Sequence, residues 1–342
     1  MAETPARQGI HKILLKFGAP NKNGALFIMN ELSFTASMLA VLPIYAIIAS
    51  GSFARKVGWI APSGDSTLMK VAVELTLPCF ILYNLLENDQ LRSVSFSIST
   101  IVLGMAITAI SIFVSWIGGK ILRLKVGDGL RTFVVTAGVQ NYGFFIIALV
   151  AILMPNSEFT GLVLTFNVGC DLIFWSVGFL MISNAKKMSF DFLKKGPVWS
   201  VFLGLFLMWT GLDKYIGDSV KIFLKLMGGV AIPVNLMLFG TLIVDMLDLK
   251  KIAWKIVVAG TTLRMLILPA MLVLSLTFLP LSNPLKMLIL MQSLAPSGVM
   301  SAVLAKHFGG HPHISVQITI ATCAISLITL PLWLNLGLKI IK

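Results

Sequence analysis

Ile98-Ser-Thr-Ile-Val-Leu-Gly-Met-Ala-Ile-Thr-Ala-Ile-Ser-Ile-Phe-Val-Ser-Trp-Ile117 is apolar on nearly every helical face. At 1.5 Å per residue a run of this length rises about 30 Å, the thickness of a bilayer's hydrocarbon. A membrane β-strand would instead alternate apolar and polar positions over about ten residues, so the run reads as a transmembrane helix. Working outward, similar stretches recur to the C-terminus. The approximate spans are 38–54, 68–86, 97–121, 131–153 and 159–184, then 197–215, 220–246, 252–279, 284–306 and 313–338. With 57% hydrophobic and 12% charged residues and a mean hydropathy of +0.93, the chain reads as an all-α integral membrane protein of about ten transmembrane helices.

The net charge of +13 suggests nucleic acid only until the basic residues are located. They stand singly or in pairs between apolar spans, as membrane flanks do, so no nucleic-acid partner is expected. The odd-numbered loops hold roughly fifteen Lys and Arg, among them Arg55, Lys56, Lys120, Arg123, Lys125, Lys186, Lys187, Lys194, Lys195, Lys250 and Lys251, against about seven opposite. That bias places the odd loops in the cytoplasm and both termini on the non-cytoplasmic side of a multi-pass chain in the plasma membrane, the inner membrane of a bacterium. Residues 1–30 read as an N-terminal tail, in which Ile10, Ile13, Leu14 and Phe17 follow the spacing of a short interfacial helix. Cys79, Cys170 and Cys323 lie inside apolar spans without paired spacing and read as small core residues.

Several features recur at one offset of 155 positions: Leu77-Pro78 as Ile232-Pro233, Lys70 as Lys225, Arg131 as Lys286, and Gly143 as Gly298. Duplicated halves of five helices each, 31–185 and 186–342, would enter the membrane from opposite faces as an inverted repeat.

Two central stretches break the apolar pattern. Ala137-Gly-Val-Gln-Asn-Tyr-Gly143 sits about ten residues into the fourth span, and Ser293-Leu-Ala-Pro-Ser-Gly298 is equally central in the ninth. Freed backbone groups at that depth need partners or a cavity. Broken helices also offer N-terminal N–H groups and a positive dipole end to an anion. The candidate substrate-binding residues are therefore Gln140, Asn141, Tyr142 and Gly143 with Ala295, Pro296, Ser297 and Gly298. Charged and amide groups inside other spans, Glu74, Asn167, Asp171 and Arg264, are candidates for ion coupling, the alternative being a structural Asp171–Arg264 pair. His307, His311 and His313 lack an acidic or thiol neighbour, so no metal or other cofactor is expected. Phosphate loops, nucleophile elbows and HExxH motifs are absent, which argues against an enzyme.

Gln292-Ser-Leu-Ala-Pro-Ser-Gly298, Leu304-Ala-Lys-His-Phe-Gly-Gly-His-Pro312, Ile328-Thr-Leu-Pro-Leu332, Arg264 with Pro269, and Asn141-Tyr-Gly143 together resemble the auxin efflux carrier family. The resemblance implies two inverted five-helix repeats with broken, crossing helices four and nine. It implies a scaffold from helices 1, 2, 6 and 7, and a transport domain from helices 3–5 and 8–10. An elevator-like motion and a homodimer follow in the same way. Ala148 stands where the family commonly has proline, which predicts a gentler bend in the fourth helix; Ser297 stands where an amide would reach substrate.

The function expected is a secondary transporter moving a small organic anion, a carboxylate, by alternating access of the elevator type, coupled to H+ or Na+ or driven by potential. A sodium-coupled symporter of the bile acid transporter type and a non-transporting membrane sensor stay open as alternatives.

Overall fold

The computed structural model describes residues 34–154, 158–183, 195–246, 252–308 and 310–341. The tail with its interfacial-helix pattern, the boundary at 185/186, and Lys186, Lys187, Lys194, Lys250 and Lys251 lie outside the described residues. Among the described residues the regular structure is helical, with one isolated antiparallel bridge and no strand. The helices are α1 (Phe34–Lys56), α2 (Pro62–Leu86), α3 (Val94–Ile121), α4 (Leu130–Gly138), α5 (Phe144–Leu153) and α6 (Phe159–Ser183). Then follow α7 (Gly196–Thr210), α8 (Asp218–Asp245), α9 (Trp254–Ser275), α10 (Asn283–Ser293), α11 (Met300–Phe308) and α12 (Pro312–Ile341). Each apolar stretch is helical, and stretches 131–153 and 284–306 are each split in two. By length and composition 6 of the described helices, α2, α3, α6, α8, α9 and α12, can cross a membrane.

Prolines shape two of the long helices. Pro78 and Pro269 lack an N–H and press on the carbonyl four residues back. The turn ahead of each widens: Leu77 N bonds Ala72 O, and Leu268 N bonds Leu263 O, five residues back rather than four. A third wide turn, Phe174–Gly178, holds no proline and lies one turn beyond Asp171.

Lipid supplies little hydrophobic drive between helices, so close backbone packing carries the assembly. Where α1 meets α8, Gly51 rests on the Met237 backbone and Gly240 on that of Ile48. Where α3 meets α6, Gly104 rests on the Phe166 carbonyl and Gly169 on that of Ile101. A side chain at any of these four would overlap a neighbouring backbone. Helix α2 packs on α7 and α8, and α9 packs on α12. Large apolar side chains such as Ile98, Val102, Phe113 and Leu226 point outward, as a lipid-facing surface requires.

Polar ties collect at the helix ends. Arg55 pairs with Asp65, and its Nε lies 3.1 Å from Asp245, joining α1, α2 and α8. Arg92, between α2 and α3, grips Asp213, beyond α7, through a fork of 3.1 and 2.6 Å. Asn88 donates to the Glu158 carbonyl, and Trp209 Nε1 donates to Leu91 O at 3.0 Å.

Candidate functional site

Helix α4 stops because Val139 turns extended, at φ −98° and ψ 116°. Gly138 sits directly on α3, where a Cβ would come within 2.8 Å of Ile112 Cα. The extended segment then runs antiparallel to the break after α10, with Gln140 opposite Ser297. Asn141 N donates to Pro296 O at 2.8 Å, and Gly298 N donates to Val139 O at 3.1 Å. Each break thus partners backbone groups that the other has freed, which makes both tolerable in an apolar interior. The gentler bend expected from Ala148 is not what forms. Val139–Gly143 leaves the helix altogether, while Ala148 is buried within α5, because the crossing partner rather than a proline stabilises the interruption.

Side chains hold the crossing from three directions. Asn167 Nδ2 donates to Tyr142 O at 3.0 Å while its Oδ1 accepts from Gln292 Nε2 at 3.3 Å, stitching one break to the helix before the other. Thr322 Oγ1 on α12 accepts from Ser297 N at 3.1 Å. Arg264, fully buried, donates from Nε to Ala295 O at 2.9 Å and from Nη2 to Gln292 O at 3.3 Å. Those carbonyls end α10, where unpartnered acceptors and the negative end of the helix dipole favour a cation.

A cavity of about 190 Å³ opens beside the crossing. Gln140, Asn141, Tyr142, Gly143 and Gly298 border it, as do Asn167 and Asp171 on α6. Ala295, Pro296 and Ser297 do not; they lie behind it, their backbones committed to Arg264, Asn141 and Thr322. The Asn141 side chain divides its work. Its Oδ1 accepts from Phe145 N at 3.4 Å, capping α5, while its buried Nδ2 has no partner. Among the described residues no hydrogen bond is made by the backbone N–H groups of Gly143 and Phe144, opening α5, or of Val299 and Met300, opening α11. All four border the cavity, so one wall is an array of donors at two positive helix ends.

The remaining intramembrane candidates separate. Asp171 accepts from Tyr142 Oη at 2.5 Å and forms no ion pair with Arg264, whose donors go to carbonyls instead. Glu74 accepts from Gly196 N at 2.9 Å and so caps α7, a structural duty away from the cavity. Lys195, counted from the sequence only as a loop charge, borders the cavity with its Nζ 5.1 Å from the Trp175 ring centre. Its one local signal was its place just before the Gly196-Pro197 helix start. Among the described residues no group of three His, Cys, Asp or Glu is placed to hold a metal.

Two segments, residues 36–195 and 185–334, match the family model described as "Membrane transport protein", the auxin efflux carrier family. The chain belongs to this family. Each matched segment contains one of the two breaks that meet at Gln140 and Ser297. A protein of Methanothermobacter thermautotrophicus, named an uncharacterized transporter, is 24% identical over 309 residues, spanning 88% of this chain and 98% of its own. The chain is thus a multi-pass membrane transporter, and the transporter's donor-lined cavity is its candidate site.

Proposed function

We propose that the transporter moves a small organic anion, a carboxylate, through the cavity beside the crossing, as a secondary transporter working by alternating access. One observation carries this reading: Asn141, whose buried Nδ2 has no partner, borders the same cavity as the residues whose free N–H groups open α5 and α11. A hydrogen bond to a charged group contributes about 1.5–3 kcal/mol, and a helix N-terminus about 0.3–1 kcal/mol for a nearby anion. Several together offset the cost of stripping water from a carboxylate, whereas a neutral ligand gains only the weaker, uncharged bonds.

Packing supports an elevator mechanism in a ten-helix inverted repeat. Helices α1, α2, α7 and α8 pack on one another, while α3 packs on α4 and α6, and α9 on α12. The first set would be the scaffold, and the broken helices with their neighbours the moving body. Exchanging the halves maps the α1–α8 contact onto α7–α2, and the α3–α6 contact onto α9–α12, as an inverted repeat requires. Taking the basic loops as cytoplasmic, we read a cavity with Lys195 at its edge as open to the cytoplasmic side.

The sodium-coupled reading draws on buried oxygens without partners, Gln140 Oε1, Gln292 Oε1 and Ser297 Oγ. Arg264 weighs against it, since its fixed guanidinium already bonds the Gln292 and Ala295 carbonyls and repels a second cation there. Uptake of radiolabelled carboxylates into proteoliposomes, with sodium, proton and potential gradients varied singly, tests both. Sodium-independent uptake removes the symporter. Asn141→Ala should slow uptake at least several-fold in a protein that still elutes as a folded particle; wild-type rates would sink the proposed site.

A further inference from the structure

The cavity has a second pole that an anion carrier does not need. Among the described residues bordering it, only Asp171 and Lys195 bear formal charge. Asp171 Oδ1 accepts from Tyr142 Oη at 2.5 Å. Its Oδ2 makes no hydrogen bond among the described residues. Lys195 is not a contacting partner for it: the ammonium stands over the Trp175 ring, 5.1 Å from its centre, and forms no ion pair with Asp171. A simple carboxylate would occupy the donor-lined end of the cavity and leave Asp171 Oδ2, at the other end, without a hydrogen-bond donor.

We infer that the transported carboxylate also carries an ammonium, which Asp171 receives, so that the substrate class is amino acids. This rests on the anion reading above and adds the other end of the ligand. Asn141 Nδ2 and the free helix N–H groups take the carboxylate, and Asp171 Oδ2, one tyrosine side chain away, takes the ammonium. Phe144, Ile147, Leu164, Val168 and Val201 supply apolar walls for the side chain. Tyr142 links the poles, since residue 142 follows the carboxylate-binding amide and its hydroxyl holds Asp171 in place.

The test is calorimetric titration of the full-length protein in detergent with three matched sets. Each set holds an amino acid, its deaminated acid and its decarboxylated amine: L-alanine, propionate and ethylamine; L-leucine, 4-methylpentanoate and 3-methylbutylamine; L-phenylalanine, 3-phenylpropionate and 2-phenylethylamine. In at least one set the amino acid should bind tenfold or more tightly than either partner. Asp171→Asn, which keeps an oxygen acceptor for Tyr142, should remove that advantage over the deaminated acid. If Asp171→Asn does not fold, Asp171→Ser, which also gives up the carboxyl group, takes its place, and an undiminished advantage of the amino acid in whichever variant folds would overturn the inference. Deaminated acids binding as well as the amino acids in every set would overturn the inference and leave the anion reading standing. Amines binding as well as the amino acids, or nothing binding in any set, would remove the anion reading and the inference with it.

Discussion

The Nε of Arg264 donates to the carbonyl oxygen of Ala295 at 2.9 Å, so the one fully buried guanidinium among the described residues supports a broken helix and leaves Asp171 alone. Arg264→Ala would strand the Ala295 carbonyl and leave Gln292 O only its backbone donors, each losing a charge-assisted bond of about 1.5–3 kcal/mol. The expected outcome is a melting temperature in detergent several degrees lower, together with lost uptake. Arg264→Lys should recover only part of the loss, because one ammonium cannot reproduce the fork. An unchanged melting temperature for the alanine variant would contradict this role.

Asn141→Asp separates capping from ligand binding. A carboxylate at this position still accepts from Phe145 N and suits a helix N-terminus, so stability should stay within about 1 kcal/mol of wild type. The free Nδ2 donor becomes a negative oxygen, and carboxylate binding should fall at least tenfold by titration. Undiminished affinity would show that the amide does not face the ligand.

Gly169 and Gly143 should respond differently to alanine. A Cβ at Gly169 would overlap the Ile101 carbonyl and press on Met105 N, so the close approach of α3 and α6 must open, at a cost of about 1–3 kcal/mol. A Cβ at Gly143 meets nothing within 4 Å, and φ −73° suits any residue, so that variant should melt as wild type does. Its methyl group would nevertheless stand beside the free N–H groups that open α5. Reduced carboxylate uptake without reduced stability is the expected signature, checked by melting curves beside flux.

The Arg92–Asp213 fork predicts an acid limb of stability. Arg92 donates to both oxygens of Asp213 and holds its carboxyl below the usual carboxylate range. A depressed folded-state pKa stabilises above the unfolded value and loses that contribution as pH falls through the folded one. Melting curves from pH 7 to pH 3 should therefore show wild type converging on Asp213→Asn at the acid end and exceeding it near neutrality. Arg92 is 35% exposed, so water screens the pair and the gap should be modest. A constant gap at every pH would rule the ion pair out as its source.

The helices and their two interruptions were legible along the chain because their causes are local. Ile98–Ile117 can satisfy its backbone in hydrocarbon only as a helix, and Gly138 to Gly143 and Ala295 to Gly298 interrupt apolar runs with residues that weaken a helix. The candidate site was legible as a region, since amides and glycines at mid-span depth stand out against aliphatic neighbours. The Ala148 reading failed because it sought the cause of a break within its own helix, when two bonds from the opposite break supply it.

Which residues border the cavity was decided only by the tertiary structure. Sequence placed Asn141 and Ser297 on equal terms, yet the first borders the cavity with an unpartnered amide nitrogen and the second lies behind it with its N–H on Thr322. It set Asp171 beside Arg264 as a possible pair, whereas packing gave Asp171 to Tyr142 and Arg264 to two carbonyls, and carried Lys195 from a loop to the cavity's edge. Hydropathy and helix-breaking are properties of a segment and its solvent. Partner choice depends on the rotation and register of helices distant in sequence, which close glycine contacts such as Gly169 on Ile101 set only once the bundle has formed.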